Sequence, residues 1–184
     1  TDKIFDMVES IRDKMHVPMV FMTYANVIFV YGIEKFARRS KEIGMSGVII
    51  PDVPFEEKEE MDSVFSQYGL DVISLIAPTS HDRIQAIAAE AKGFVYCVSS
   101  LGVTGMRSSI NKGVAQMIEQ VKKTKDIPCA IGFGISTPEQ AKEMAAFSDG
   151  VIVGSAIVKL IETNGKDCIN PVAEYVKSMK NAIS

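Results

Sequence analysis

Two short stretches near the C-terminal end carry the residues best suited to binding chemistry: "GFGIS" at 132–136 and "GSAIVKLIE" at 154–162. A phosphate dianion can be held by backbone N–H groups where the chain approaches closely and the donors converge. Glycine permits that approach because it has no Cβ to collide with the oxygens. Gly132 and Gly134 meet the requirement at one turn. At the other, Gly154 and Ser155 stand where a helix begins, so that unsatisfied N–H groups and the macrodipole both favour negative charge, and Ser155 adds a hydroxyl donor. A third turn, "SSLGVTGMRSS" at 99–109, brings Gly102 and Gly105 after the preceding strand and reads as a mobile lid able to close on a bound anion. Glycine after a parallel strand is by itself often only tight turn geometry. Three such turns after consecutive strands favour a phosphate site.

The elements that must carry these turns alternate strictly. Residues 2–15 place Ile4, Val8, Ile11 and Met15 on one face of an amphipathic helix. "VPMVFMTYAN" reads as a buried strand, "GIEKFARRSKEIG" as a helix ending on Gly44, "SGVIIPDVP" as a strand and "FEEKEEMDSVFSQYG" as a helix closed by Gly69. "LDVISLIAP" is a strand, "TSHDRIQAIAAEAKG" a helix opened by a Thr or Ser cap, "FVYCVSS" a strand and "NKGVAQMIEQVKKTKD" a helix; "IPCAIGFG" and "DGVIVG" complete the strands. "SAIVKLIE" is a short extra helix, and Asn170 before Pro171 caps a final one. Strands alternating with helices pair in parallel, because each return to the same sheet edge needs a crossover. No linker interrupts residues 1–184, which predicts a single domain of α/β class. Glycine turns after the last two strands, with an extra helix supplying an N-terminus, favour a parallel (β/α) TIM-barrel type over an open dinucleotide-binding sheet. Six of eight strand-helix units are then present and the first two strands are missing. A barrel lacking them exposes two edges, which predicts marginal stability alone and self-association through the open edges.

Composition narrows the classes. The chain has 184 residues, 47% hydrophobic and 23% charged, with a formal net charge of −3. No Lys/Arg stripe supports nucleic-acid binding, no apolar run reaches membrane-span length, and Cys97, Cys129 and Cys168 form neither a disulfide framework nor a metal motif. A cytoplasmic, metal-free protein is expected. His16 and His81 read as surface residues.

"TYAN" at 23–26, "PDVPFEE" at 51–57, "SSLGVTG" at 99–105, "GFGIS" and "GSAIVKLIE", in that order, resemble the tryptophan synthase alpha subunit family over essentially the whole chain. The resemblance implies a TIM barrel that cleaves indole-3-glycerol phosphate to indole and glyceraldehyde 3-phosphate. It also implies a beta-subunit partner that carries PLP, with no cofactor in this chain. Gly105, Gly134, Gly154 and Ser155 match the family's phosphate-binding positions, with Gly132 and Phe133 adjoining them. Tyr24 matches a tyrosine near the indole pocket, and Met22, Ile49 and Tyr96 fall where the family lines the ring; read from the residues alone, each is equally barrel core. Thr104 matches the lid threonine, whereas Ser100 departs from the arginine common there. Asp52 and Pro54 match the loop that meets the beta subunit; the alternative for Asp52 is a helix N-cap. The family's two catalytic carboxylates follow its first and second strands, upstream of this sequence, so no catalytic residue is assigned. Two other readings stay open: a different phosphate-binding barrel enzyme, such as a sugar-phosphate isomerase or epimerase, and a non-catalytic module that binds phosphate and beta subunit.

Overall fold

The computed structural model describes residues 1–99, 107–132 and 134–184, and among these leaves aside the side chains of 81 and 107–111. Ser100, Gly102, Thr104, Gly105 and Phe133 lie outside the described residues. The chain packs as two compact units, Thr1–Ser74 and Leu75–Ser184.

The first unit contains α1 (Asp2–Ile11), a 3-10 turn, β1 (Val20–Met22), α2 (Ala25–Tyr31), α3 (Ile33–Glu42), β2 (Gly47–Ile49), α4 (Lys58–Gln67) and the start of β3 (Asp71–Ile76). β2 is the middle strand, parallel to both neighbours, with Gly47 opposite Val20 on one side and Asp71 on the other. Gly44 and Gly69 close α3 and α4 with paired bonds characteristic of a left-handed cap, Met45 N–H to Ser40 C=O at 2.9 Å and Leu70 N–H to Phe65 C=O at 3.1 Å. Both endings follow the sequence expectation.

The buried face of α1 does not. Ile4 is 54% exposed, and Ile11 and Met15 also face solvent, while Phe5 joins Val8 in the core. Phe5 offers more apolar surface than Ile4 and meets Phe21, Tyr31 and Phe36 with ring centroids 5.1 to 5.5 Å apart, so its packing sets the rotation of the helix. Arg39 lies over the same ring and bonds Asp2 and Asp6, which fastens α1 to α3 from the solvent side.

The strand expected through Asn26 is also shorter, because Ala25–Tyr31 is helical. Its start is fixed from a distance: the Asp52 carboxylate accepts the Ala25 N–H, at 3.0 and 3.2 Å to its two oxygens. A cap supplied from 27 residues downstream leaves no local signature in "TYANVIFVY".

The second unit contains a 3-10 turn (Pro78–Arg83), α5 (Ile84–Glu90), β4 (Val95–Val98), α6 (Arg107–Thr124), β5 (Cys129–Gly132), α7 (Pro138–Ala145), β6 (Gly150–Ile152), α8 (Ser155–Asn164) and α9 (Ile169–Ala182). β5 is parallel to both β4 and β6. Two expected caps move. The segment at Thr79–Ser80 forms the 3-10 turn, where Ser80 Oγ accepts the Ala77 N–H, and α5 begins only at Ile84. α9 begins at Ile169 with Cys168 as N-cap, so Asn170 and Pro171 lie inside the first turn, where the missing proline N–H costs nothing.

Asp149 fastens β6 to its neighbours. Its carboxylate accepts the Cys129 N–H at 2.7 Å and pairs with Lys122 of α6 at 2.8 Å. The Lys122 bond, then the Cys129 amide, hold the Asp149 carboxyl below the usual aspartate range. A carboxyl whose folded pKa is depressed contributes stability that is complete above the unfolded value, about 3.9, and is lost as pH falls through the folded one. Below about pH 4 the unfolding midpoint of the wild type should therefore fall more steeply than that of Asp149→Asn. Parallel midpoint-against-pH curves would remove Asp149 from the acid response.

Candidate functional site

The β5–β6 register sets the site. Gly132 lies opposite Ile152, so the turns that carry Gly134 and Gly154 follow the neighbouring ends of adjacent strands. Neighbouring strands run about 4.8 Å apart, close enough for both turns to face one small anion.

At the second turn, Gly154 is the N-cap of α8 and Ser155 its first residue, both exposed. The Gly154 carbonyl accepts the Ile157 and Val158 N–H groups at 2.9 and 3.2 Å, which starts the helix. The N–H groups of Gly154, Ser155 and Ala156 find no acceptor among the described residues. A Cβ built on Gly154 would meet nothing within 4 Å among the described residues. Packing among the described residues does not require glycine there. None of the described residues fills the space in front of it.

The first turn is braced. Gly134 adopts φ +78°, a left-handed conformation suited to glycine, and its N–H also has no acceptor among the described residues. Beyond it, Gln140 Oε1 accepts from Ser136 N–H at 2.9 Å, Ser136 Oγ–H at 3.2 Å and Thr137 N–H at 3.2 Å. Thr137 Oγ1 accepts the Gln140 N–H in return, which completes a capping box with Pro138 in the first turn of α7. Tyr175 of α9 donates its hydroxyl to the Ser136 carbonyl at 2.9 Å. The Thr-x-x-Gln spacing in "STPEQ" is the signal for the box; nothing in the sequence announces Tyr175.

Gly132 has a different reason to be glycine. A Cβ there would lie 2.1 Å from the Tyr96 hydroxyl oxygen and 2.4 Å from the ring carbon bearing it. Its carbonyl accepts both the Ser99 N–H and Oγ–H, at 3.0 and 3.2 Å. Tyr96 is only 8% exposed, and burial pushes its phenol up.

The remaining expected residues lie apart in sequence and environment. In the first unit, Met22 ends β1 at 58% exposure, Tyr24 precedes α2 at 62%, and Ile49 ends β2 buried. Asp52 is a cap, but of α2 instead of the helix that follows it, and Pro54 leads into the 3-10 turn Phe55–Glu57. His16 is exposed, and the His81 side chain lies outside the described residues. All three thiols are free. Cys97 and Cys129 are buried on adjacent strands, and the neighbouring Cys129 thiol, with burial, pushes the Cys97 thiol up. Among the described residues no cluster of His, Cys, Asp and Glu could hold a metal, and no helix is long and apolar enough to cross a membrane.

A family model described as "Tryptophan synthase alpha chain" matches residues 1–184. The tryptophan synthase alpha chain of Lacticaseibacillus casei is 42% identical over 183 residues, covering 100% of this chain and 69% of that protein. That of Thermoanaerobacter sp. is 46% identical over 182 residues, covering 98% and 70%. Among solved structures, tryptophan synthase subunit alpha from Campylobacter jejuni superposes with a TM-score of 0.88 at 30% identity, covering 97% of this chain and 71% of that one. The alpha chain from Legionella pneumophila gives 0.85 at 33%, covering 99% and 69%.

Proposed function

The chain belongs to the tryptophan synthase alpha chain family, whose members are lyases of tryptophan biosynthesis with a TIM-barrel-type fold, and from that premise we propose how its residues serve the reaction. Its part in the cleavage of indole-3-glycerol phosphate to indole and glyceraldehyde 3-phosphate is to hold the substrate's phosphate at the turns after β5 and β6. The carrying observation is the start of α8, where exposed amides without an acceptor among the described residues stand behind a glycine with open space before it. A phosphate there would accept from the backbone N–H groups of residues 154–156, from Ser155 Oγ–H and from Gly134 N–H, with the helix dipole adding to the attraction. Anchoring the phosphate fixes the glyceryl carbons and lets binding energy remote from the scissile bond orient it. Gly105 and Phe133 complete the phosphate set by resemblance, and Thr104 the lid. Gly132 contributes indirectly, by making room for Tyr96.

Met22, Tyr24, Ile49 and Tyr96 are assigned to the indole ring on the same footing. The exposed loop with Asp52 and Pro54 is assigned to the beta subunit, which would supply the PLP chemistry that this chain does without. A cytoplasmic location accords with the free thiols. The family match leaves the sugar-phosphate isomerase or epimerase reading without support.

Calorimetric titration of the purified protein with glycerol 3-phosphate and with inorganic phosphate tests the reading. Both should bind, and Ser155→Ala should weaken binding about tenfold, as expected for losing one hydrogen bond to a charged group. Saturation absent at millimolar ligand, or an unchanged affinity in the variant, would reject the cradle.

A further inference from the structure

The geometry points to Tyr175 as a positioning residue for the phosphate cradle, acting through the backbone of the turn after β5. The inference rests on the phosphate reading above and extends it to α9, which carries neither glycine.

The turn's amides can serve an anion only while they keep their direction. Gly134, with its left-handed φ and no side chain, has little of its own to hold it. Its restraint comes from Ser136 and Thr137, two and three residues further on. From one side Gln140 collects the Ser136 N–H, the Ser136 hydroxyl and the Thr137 N–H on a single oxygen. Those bonds fix the donors of the turn and leave its carbonyls. The Tyr175 hydroxyl, reaching from 39 residues further along the chain, takes the Ser136 carbonyl at 2.9 Å. The Ser136–Thr137 peptide plane is thus held at its N–H, that of Thr137, by Gln140 of α7 and at its C=O, that of Ser136, by Tyr175 of α9. A plane held at both ends cannot flip, and the flip of a peptide plane is the cheap motion by which a glycine turn would redirect the N–H groups beside it.

Tyr175 is well placed for this. Its ring is half-buried on α9, a helix of 14 residues, so the hydroxyl is delivered from a rigid element. Burial pushes the phenol up, which keeps it a donor throughout the physiological range. Met179, one turn on, is 6% exposed and fixes the same face of α9 against the unit. Removing the hydroxyl alone should leave that packing intact and loosen only the turn.

The test compares wild type, Ser155→Ala and Tyr175→Phe by titration with inorganic phosphate, together with thermal unfolding and amide hydrogen exchange at residues 134–137. Tyr175→Phe should raise the phosphate Kd about fivefold, the worth of one hydrogen bond, and speed exchange at the turn. If wild type binds, Ser155→Ala weakens binding and Tyr175→Phe matches wild type, the cradle stands and the role of Tyr175 is overturned. If Tyr175→Phe lowers the unfolding midpoint with Kd unchanged, the residue is a packing tie and the inference again fails. If wild type itself does not bind phosphate, the failure is that of the functional reading, and the inference falls with it.

Discussion

Gly47→Ala is expected to lower the unfolding midpoint by about 10 °C or more, the largest stability loss foreseen for any one-carbon change in this chain. Gly47 opens β2, the middle strand of the first unit, and lies opposite Asp71. A Cβ added there falls 2.2 Å from the Asp71 carbonyl oxygen, 3.1 Å from its carbon and 3.2 Å from its nitrogen. All three are backbone atoms, so no rotamer change can clear the space. Relief requires β3 to draw away from β2, which strains the Asp71 N–H to Ser46 C=O bond at 3.0 Å and the ladder that follows it. Overpacking of this kind costs about 1–3 kcal/mol, and each weakened ladder bond about 1 more. The sum, about 3–5 kcal/mol, is a large part of an ordinary domain's 5–15. Thermal unfolding by circular dichroism decides the matter, and a midpoint within about 2 °C of wild type would mean that the strands accommodate a methyl.

Gly47, Gly132 and Gly154 look alike in the sequence, each beside an apolar strand, and the structure gives them three different reasons to be glycine. At Gly47 a neighbouring backbone excludes a side chain; at Gly132 a tyrosine does; at Gly154 no atom of the described residues beyond its chain neighbours comes within 4 Å of the added carbon. Only the last leaves room for something outside the chain. Sequence alone could mark the turns because glycine and helix starts are local features. It could not sort them, because the sorting depends on Asp71 and Tyr96, 24 and 36 residues away.

The same division runs through the fold. The six strands of the described residues were legible, since strands of a parallel sheet appear as short continuous apolar runs between helical patterns, whether buried as in β2 or half-buried as in β6. The helix α2 was not, because its first amide is capped by Asp52 from the next strand's loop. The rotation of α1 was misread because periodicity admitted Ile4 and Phe5 almost equally, and the aromatic cluster that chooses Phe5 is assembled from residues up to 36. At the site, the glycines and Ser155 were legible and the brace on the turn only half so. Its Gln140 arm follows the capping-box spacing, while its Tyr175 arm comes from the last helix. Thr104, Gly105 and Phe133 lie outside the described residues.

Ser155→Asp should separate the stability of α8 from its function. A carboxylate on the first residue of a helix interacts favourably with the macrodipole, typically by about 0.3–1 kcal/mol, so the unfolding midpoint should hold or rise slightly. Phosphate should respond in the opposite sense. Even at the dielectric of bulk water, a dianion about 4 Å from a unit negative charge is repelled by about 2 kcal/mol, roughly a thirtyfold loss of affinity. A surface site has a lower effective dielectric, so the loss should be larger, and it should exceed that of Ser155→Ala, which removes a donor without adding charge. Salt gives the internal control. Screening over roughly 3 Å at 1 M weakens the repulsion, so the deficit of Ser155→Asp should shrink toward that of Ser155→Ala when the titration is repeated in high salt. A deficit equal in the two variants at low salt, or one that ignores salt, would mean that the anion does not come within reach of the α8 N-terminus, and the cradle would have to be sought at another turn.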